Sequence, residues 1–485
     1  MLRFCATVLG ALMLAGSAQA QVKVTVEGGV LAGTSGETAE VFRNIPFAAP
    51  PVGRLRWAPP RPPVAWTGER DATANGPSCM QPMNADGTPN SGSANGPVSE
   101  DCLQLNVFAP PRDKMGAVKK APVMVWIHGG GHRHGAGWIY DGTNFARDGV
   151  VLVSINYRLG PLGYFAHPAL TREAGAEPTG NYGLMDQIAA LEWVQRNIAA
   201  FGGDPKNVTI FGTSAGGASV LALLATARAK PLFKKAIVQS GGGWFAPETL
   251  AAKEAEGAKV AESLRLAGSE ASVADLRKLR AETLIARIDD DFGPFVDGRL
   301  LTETPTQALA AGRAADVPLI IGFNSGEDSL MARSPPPTPE DREMFTDRLF
   351  GAPARWVAAR ASSGKPAWLY HFAYVGSRFR PAGVTRAFHA AEVQYVFEYW
   401  GRRTPLSAVA EDDKAMATLV HGCWVAFAKT GTPKCPSGPA WPAYTPRGDQ
   451  LMEFGADSGV RVGFRKSRLN AQEAAALPTL ALPAN

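Results

Sequence analysis

The chain has 485 residues, of which 45% are hydrophobic, and a net charge of only +5. That length and apolar content allow a large buried core, and a prior of about 150 residues per domain leaves room for two or three domains. Near-balanced charge, with no basic run interleaved with aromatics, argues against nucleic acid as a partner.

Met1-Leu2-Arg3, an apolar stretch over residues 4–15, and Ala18-Gln19-Ala20 together have the form of an export signal cleaved after Ala20. The stretch is too short to span a bilayer, and no later one reaches about 18 apolar residues. No cysteine stands where a lipid anchor would need it, so the expectation is a periplasmic or secreted protein without a membrane anchor. Cys5 would leave with the signal, and Cys79, Cys102, Cys423 and Cys435 remain. Four cysteines in an exported chain suggest two disulfides with three possible connectivities. Pairs Cys79–Cys102 and Cys423–Cys435 close the shortest loops. Cys423 also falls on the apolar face of a predicted helix with Leu419, Val420 and Phe427, where a buried free thiol is the competing reading. The spacing of a zinc site is missing, and no metal or cofactor is expected.

Residues 22–26 and 30–31 flank Gly28-Gly29 and predict a hairpin. Pro46, Pro50, Pro51, Pro59, Pro60, Pro62 and Pro63 keep residues 45–66 extended or turning. Residues 83–98 form a polar, Gly/Asn/Ser-rich loop that a Cys79–Cys102 bridge would close. Short apolar runs at 123–127, 150–155, 208–211, 236–239, 317–322 and 368–372 then predict strands. Helical patterns lie between them, as at 184–201, where Ile188, Leu191, Val194 and Ile198 recur at helical spacing. Buried strands alternating with helices indicate an α/β fold with a largely parallel sheet covered on both faces. Residues 250–286 are rich in Ala, Glu, Lys, Arg and Leu and predict a helical excursion. The proline cluster at 334–339 leads into another. The expected organisation is a signal peptide over 1–20 and a single domain over 21–485, with helical insertions around 245–290 and 330–385.

In such sheets, ligands meet the loops beyond the carboxyl ends of the strands. One such end carries Gly212-Thr213-Ser214-Ala215-Gly216, a G-x-S-x-G between a predicted strand and the helix-prone residues 215–224. Glycines on both sides let the turn tighten, lift Ser214 Oγ out of the sheet and place the Ala215 N–H at a helix N-terminus, facing a developing oxyanion. The run 123–127 leads into His128-Gly129-Gly130-Gly131, where consecutive glycines let further N–H groups converge. A serine nucleophile needs a base and an acid to orient it, in the chain order Ser, acid, His for an α/β-hydrolase. Of the histidines after Ser214, His371 falls within a predicted strand and His421 within the predicted helix 415–429. His389 ends a loop just before a predicted helix over 390–397 and is the best-placed base. For the acid, Glu327 and Asp328 are equally placed after 317–322, and Asp297 follows another short run.

Further blocks appear in order along the chain: Asn44-Ile45-Pro46-Phe47-Ala48, Glu100-Asp101-Cys102-Leu103-Gln104-Leu105-Asn106-Val107, Asn156-Tyr157-Arg158-Leu159-Gly160 and Gly180-Asn181-Tyr182-Gly183-Leu184-Met185-Asp186-Gln187. Phe201-Gly202-Gly203-Asp204-Pro205, Val238-Gln239-Ser240-Gly241, Phe295-Val296-Asp297-Gly298 and Phe427-Ala428-Lys429-Thr430-Gly431 continue them. Over about residues 24–465 the sequence resembles the type-B carboxylesterase/cholinesterase family of α/β-hydrolases. The resemblance implies a mostly parallel twisted sheet flanked by helices, with helical cap insertions. It implies a serine hydrolase of small-molecule carboxylic esters that works through an acyl-enzyme and needs no cofactor. It selects Glu327 as the acid beside Ser214 and His389, assigns the oxyanion hole to Gly130, Gly131 and Ala215, and supports the Cys79–Cys102 bridge.

Three departures from the family pattern stand out. Thr213 replaces the usual glutamate before the serine, which removes a negative charge. Residues 80–101 contain no aromatic side chain, so a cation–π site for choline is unsupported. The interval from Glu327 to His389 is short, which predicts a pared-down cap open to bulky esters. His132, Thr213, Ser240 and Phe292 are candidate substrate contacts. His132 and His134 follow the glycines where an aromatic is usual, as a polar wall or as plain loop residues, and Asp289-Asp290-Asp291 reads as solvated. The alternatives are a hydrolase of a specialised bulky or aryl ester, a lactone or an amide, and, more remotely, a non-catalytic binding protein.

Overall fold

The computed structural model describes residues 20–485 apart from 91, 115–119, 290, 332–333, 402–403, 437, 481 and 483–485. The expected signal segment lies outside the described residues except for Ala20, which opens the first strand. Thirteen strands form one sheet: β1 (Ala20–Val26), β2 (Gly29–Ser35), β3 (Glu40–Pro46), β4 (Glu69–Asp71), β5 (Gln104–Ala109), β6 (Ala121–Ile127), β7 (Val151–Ile155), β8 (Gly203–Thr213), β9 (Lys235–Gln239), β10 (Leu319–Asn324), β11 (Ala367–Phe372), β12 (Gln450–Phe454) and β13 (Gly459–Val462). The spatial order is β1-β2-β3-β5-β7-β6-β8-β9-β10-β11-β12-β13, with β4 beside β2. From β7 through β6 and on to β12, every pair is parallel. This is the α/β-hydrolase architecture.

The central strands are buried along their whole length, which is why they read as continuous apolar runs and not as alternating ones. Their side chains still point alternately to the two faces. Val123, Val125 and Ile127 join a core with Leu184, Ile188 and Leu191 of α1 (Tyr182–Asn197) and Val220 of α2 (Ala215–Ala225). Met124 and Trp126 face the other way, into Phe145, Phe211, Phe397 and Trp424. The insertion after β9 is helical over Leu250–Ser263, Val273–Lys278 and Ala281–Arg287. The α-helices of the later insertion end at Ala361; within the expected range 330–385, β11 belongs to the sheet and a 3-10 helix follows it at Ser377–Ala382.

The differences from expectation have local causes. The strand expected at 317–322 starts at Leu319, because Pro318 has no N–H for the ladder and instead offers its carbonyl to Ala236 N at 3.1 Å. β5 escaped notice because Gln104 and Asn106 interrupt its apolar pattern. Both are buried, and Asn106 Nδ2 donates to Ser154 Oγ at 3.1 Å while its Oδ1 accepts from Asn44 N. The helix expected from residue 390 shrinks to Val393–Val396, because Ala390 sits at φ 64°. Cys79–Cys102 and Cys423–Cys435 are both bonded, so the free-thiol alternative for Cys423 is corrected. Among the described residues, no helix is long and apolar enough to cross a membrane.

Candidate active site

Ser214 joins β8 to α2 with φ 57° and ψ −127°. A left-handed serine of this kind costs about 1–3 kcal/mol, and the surroundings must hold it. Ser214 N donates to Gln239 O on β9 at 2.8 Å, and Ser214 O accepts from Ala218 N at 2.9 Å. Gly216 lies so close to the end of β6 that an added Cβ would collide with the Ile127 carbonyl oxygen, and one on Gly212 would come within 2.6 Å of the same atom. The glycines of the pentapeptide are thus a packing requirement between helix and strand.

The loop after β6 passes directly over this turn. A Cβ on Gly129 would lie 3.0 Å from Ser214 Cβ. Gly130 and Gly131 adopt φ 108° and 61°, which turns the chain where a side chain would be strained. Among the described residues, none of the N–H groups of Gly130, Gly131 and Ala215 meets a protein acceptor. Three donors are therefore free at the serine turn.

Glu327 follows β10 and is fully buried. Its Oε1 accepts from Ser240 Oγ at 2.6 Å and from Asn324 N at 2.7 Å, and its Oε2 accepts from His389 Nδ1. His389 N donates to Ser329 Oγ at 2.9 Å, and the ring leans on Phe350 with centroids 5.5 Å apart. Its Nε2 is buried without a partner among the described residues. Because Nδ1 donates to the carboxylate, Nε2 of the neutral ring is the bare nitrogen, able to accept a proton. Burial pushes the His389 imidazole down, but the charge of Glu327, its hydrogen bond and the charge of Glu392 together raise it above its ordinary value. The structure thus sets Ser214, Glu327 and His389 beyond the carboxyl ends of β8, β10 and β11, with β9 tying the serine turn to the acid through Gln239 and Ser240; Glu327 and His389 are bonded, whereas Ser214 Oγ and His389 Nε2 are not.

The other sequence candidates have different partners. Asp328 pairs with Arg386 at 2.9 Å and with Arg342 at 3.4 Å. Asp297 closes a turn by accepting from the N–H groups of Leu300 and Leu301. His371 bonds Glu453, and His421 bonds Val396 O and Asp148. Ser240 is committed to Glu327. Thr213 Oγ1 points to Glu392 Oε1 at 3.4 Å. Phe292 is mostly buried, beneath the Arg133 guanidinium at 5.8 Å, and His134 Nδ1 meets Ser93 Oγ at 3.1 Å.

Glu392 was missed as a participant, although an acid three residues beyond the candidate base was a usable signal. It is fully buried, takes Gln239 Nε2 at 2.9 Å and Asn324 Nδ2 at 2.6 Å, and Trp424 Nε1 in turn holds Gln239 Oε1. Burial pushes its carboxyl above the usual range, against these hydrogen bonds, and the charge of Glu327 adds to the push.

Sequence comparison gives the arrangement a lineage. A profile of the carboxylesterase family matches residues 19–341 and 338–472. The chain belongs to this family. The para-nitrobenzyl esterase of Bacillus subtilis is 37% identical over 468 residues, covering 87% of this chain and 92% of the relative. The fumonisin B1 esterase of Sphingopyxis macrogoltabida is 34% identical over 481 residues, covering 89% and 86%. A solved PNB esterase structure superposes with a TM-score of 0.79 at 32% identity, covering 92% of this chain and 99% of that one. Membership makes the chain a carboxylic-ester hydrolase acting on small-molecule esters.

One other group of this carboxylesterase resembles a metal site. The ligand atoms of Asp148, Glu398 and His421 lie within 4.8 Å of one another. Arg147 already bonds both carboxylates, at 2.7 and 2.6 Å, and His421 Nε2 bonds Asp148. A cation belonging to the chain thus neutralises the cluster.

Proposed function

We propose that this carboxylesterase works through a Ser214–His389–Glu327 triad and an acyl-enzyme. His389 Nε2 takes the Ser214 hydroxyl proton as Oγ attacks the ester carbonyl. Glu327 keeps the ring in the tautomer that leaves Nε2 bare and stabilises the imidazolium that forms. The N–H groups of Gly130, Gly131 and Ala215 receive the negative charge that grows on the carbonyl oxygen. His389 then protonates the leaving alcohol, and a water activated by the same nitrogen releases the acid. The observation that carries this reading is the directed chain from Asn324 N and Ser240 Oγ through Glu327 to His389 Nδ1, which leaves Nε2 unpartnered.

Thr213 in place of a glutamate removes a negative charge beside the serine, which favours neutral esters over cationic ones. The amino-terminal residues further suggest export, and the two disulfides suit an oxidising compartment. The test is Ser214→Ala assayed on p-nitrophenyl acetate. The variant is expected to fold with the wild-type circular dichroism spectrum and to lose turnover, and full turnover would refute the assignment.

A further inference from the structure

His132 follows the oxyanion glycines in the left-handed conformation at φ 53°, with its carbonyl accepting from Gly160 N at 2.7 Å. Its ring is buried against Tyr164, with centroids 5.1 Å apart, and both ring nitrogens are used. Nδ1 lies 3.1 Å from the Phe292 carbonyl oxygen and Nε2 lies 3.0 Å from Ser219 Oγ. Ser219 Oγ is also 3.0 Å from Gln187 Nε2.

The ring also has Ala215 as a backbone hydrogen-bond partner, and the bond to Phe292 decides which nitrogen of the neutral ring carries the hydrogen. A carbonyl can only accept, so Nδ1 carries the hydrogen and Nε2 is bare. The Ser219 hydroxyl must then donate to Nε2, and its oxygen accepts from the Gln187 amide. The chain runs in one direction: Gln187 on α1, Ser219 on α2, His132 on the oxyanion loop, and Phe292. The neighbouring Arg133 adds an ion pair to Asp289 and its contact with the Phe292 ring. A hydrogen bond, an ion pair and a guanidinium–ring contact therefore seat the Phe292 segment on the loop. The bond to Ser219 joins that loop to the helix whose first residue is Ala215.

We propose that His132 is a positioning residue of the esterase reaction, holding the Gly130 and Gly131 donors in register with the Ala215 donor through its bond to Ser219. The proposal rests on the oxyanion assignment above. The three N–H groups come from two elements, the loop and the helix, and their convergence on one oxygen depends on the spacing between them. Displacing reacting groups by about 1 Å can cost about 100-fold, and losing one oxyanion donor about 10²–10³. Cutting the link while leaving the donors in place should fall below those limits. Donors aimed at the tetrahedral oxyanion matter more in the transition state than for the bound ester, so the loss belongs in kcat and not in KM.

The experiment compares His132→Phe, His132→Asn, His132→Gln, Ser219→Ala and the pair H132F/S219A on p-nitrophenyl acetate, with Ser214→Ala beside them. Phe keeps the ring and removes both nitrogens. Asn reproduces only the donor toward Phe292, whereas Gln can offer an acceptor to Ser219. His132→Phe is expected to lower kcat by about 10- to 100-fold with KM within about twofold. Gln should restore most of that loss and Asn should not. Ser219→Ala should lower kcat similarly, and the pair should be no worse than the weaker single variant, because both cut the same link. Should His132→Phe not fold, Ser219→Ala decides alone, since it removes one hydroxyl group. Unchanged kcat in a folded His132→Phe or in Ser219→Ala, a loss confined to KM, or additive losses would overturn the proposal. Turnover by Ser214→Ala would instead overturn the triad on which it rests.

Discussion

Replacing Glu327 with glutamine changes almost no volume, and its consequence can be worked out from the partners of the carboxylate. Oε1 accepts from two groups, Ser240 Oγ–H and the Asn324 N–H. The serine hydroxyl could rotate to accept instead, but a backbone N–H cannot. The introduced amide oxygen must therefore occupy the Oε1 place, because the reverse orientation leaves buried donors facing each other at about 1–3 kcal/mol. The amide NH2 then faces His389 Nδ1, which can bond it only as an acceptor. The ring proton moves to Nε2, the nitrogen that has to be bare to take the Ser214 proton. Geometry is kept and the tautomer is wrong. A change of this type is expected to cost about 10⁴ in kcat, or about 5 kcal/mol of transition-state stabilisation. The assay is steady-state hydrolysis of p-nitrophenyl acetate at pH 7, with circular dichroism and a thermal melt to show that the variant folds. A folded E327Q with kcat within tenfold of wild type would refute the assignment of Glu327 as the group that orients His389. Ser240→Ala, which keeps the Asn324 donor, should lose far less, about 10- to 150-fold, since it removes one charge-assisted bond of about 1.5–3 kcal/mol.

Asp186 is fully buried and accepts from Arg158 N, Nε and Nη2 at 3.0, 2.8 and 2.7 Å. Asp186→Ala would strand the guanidinium, so the unfolding free energy should fall by about 3–5 kcal/mol, and an unmoved urea midpoint would sink the idea. Burial holds His128 and His132 down at about 4, below the ordinary 6.5. The unfolded chain then binds more protons between these values, so stability is complete above about pH 6.5 and falls as pH drops toward 4. The loss is about 3 kcal/mol per histidine. Urea melts from pH 7 to 4.5 should show this decline, and it should be shallower in His132→Phe; an identical slope would count against the burial effect. The bonds Cys79–Cys102 and Cys423–Cys435 span 23 and 12 residues. Loop entropy assigns each about 3 kcal/mol, so a reductant should lower the melting temperature, and serine at either pair should abolish part of that drop.

The parts of this fold that the sequence displays are those in which one pattern acts alone. β6, β9 and β11 are buried on both faces, so their residues form apolar runs with nothing to mask them. The serine turn is visible for a similar reason, since only glycine fits where α2 touches β6. β5 was hidden because Gln104 and Asn106 are buried through hydrogen bonds that form only after folding. The acid could be narrowed to Glu327 or Asp328 by placement and to Glu327 by family resemblance. The physical reason becomes apparent only in three dimensions, where Arg386 and Arg342 take Asp328. Ser240 and Glu392 were illegible as functional partners for the same reason: their roles depend on β8, β9 and β10 lying side by side.

These neighbours also explain how the site can dispense with a glutamate before the serine. Glu327 and Glu392 both lie near His389, and two nearby carboxylates compete to stay ionised. Glu327 keeps the strong donors, a hydroxyl, a backbone N–H and the imidazole. Glu392 has amide donors and the distant Thr213 hydroxyl, and burial pushes it toward its neutral form. A glutamate at position 213 would bring a third carboxylate against Glu392 and raise both further. Thr213 instead supplies a hydroxyl that can donate to Glu392 or accept from its acid form. Glu327 is then left to face Nδ1 of His389, behind the imidazole and not in the pocket. On the proposed reading, a site with its acid held behind the imidazole favours neutral esters over cationic ones.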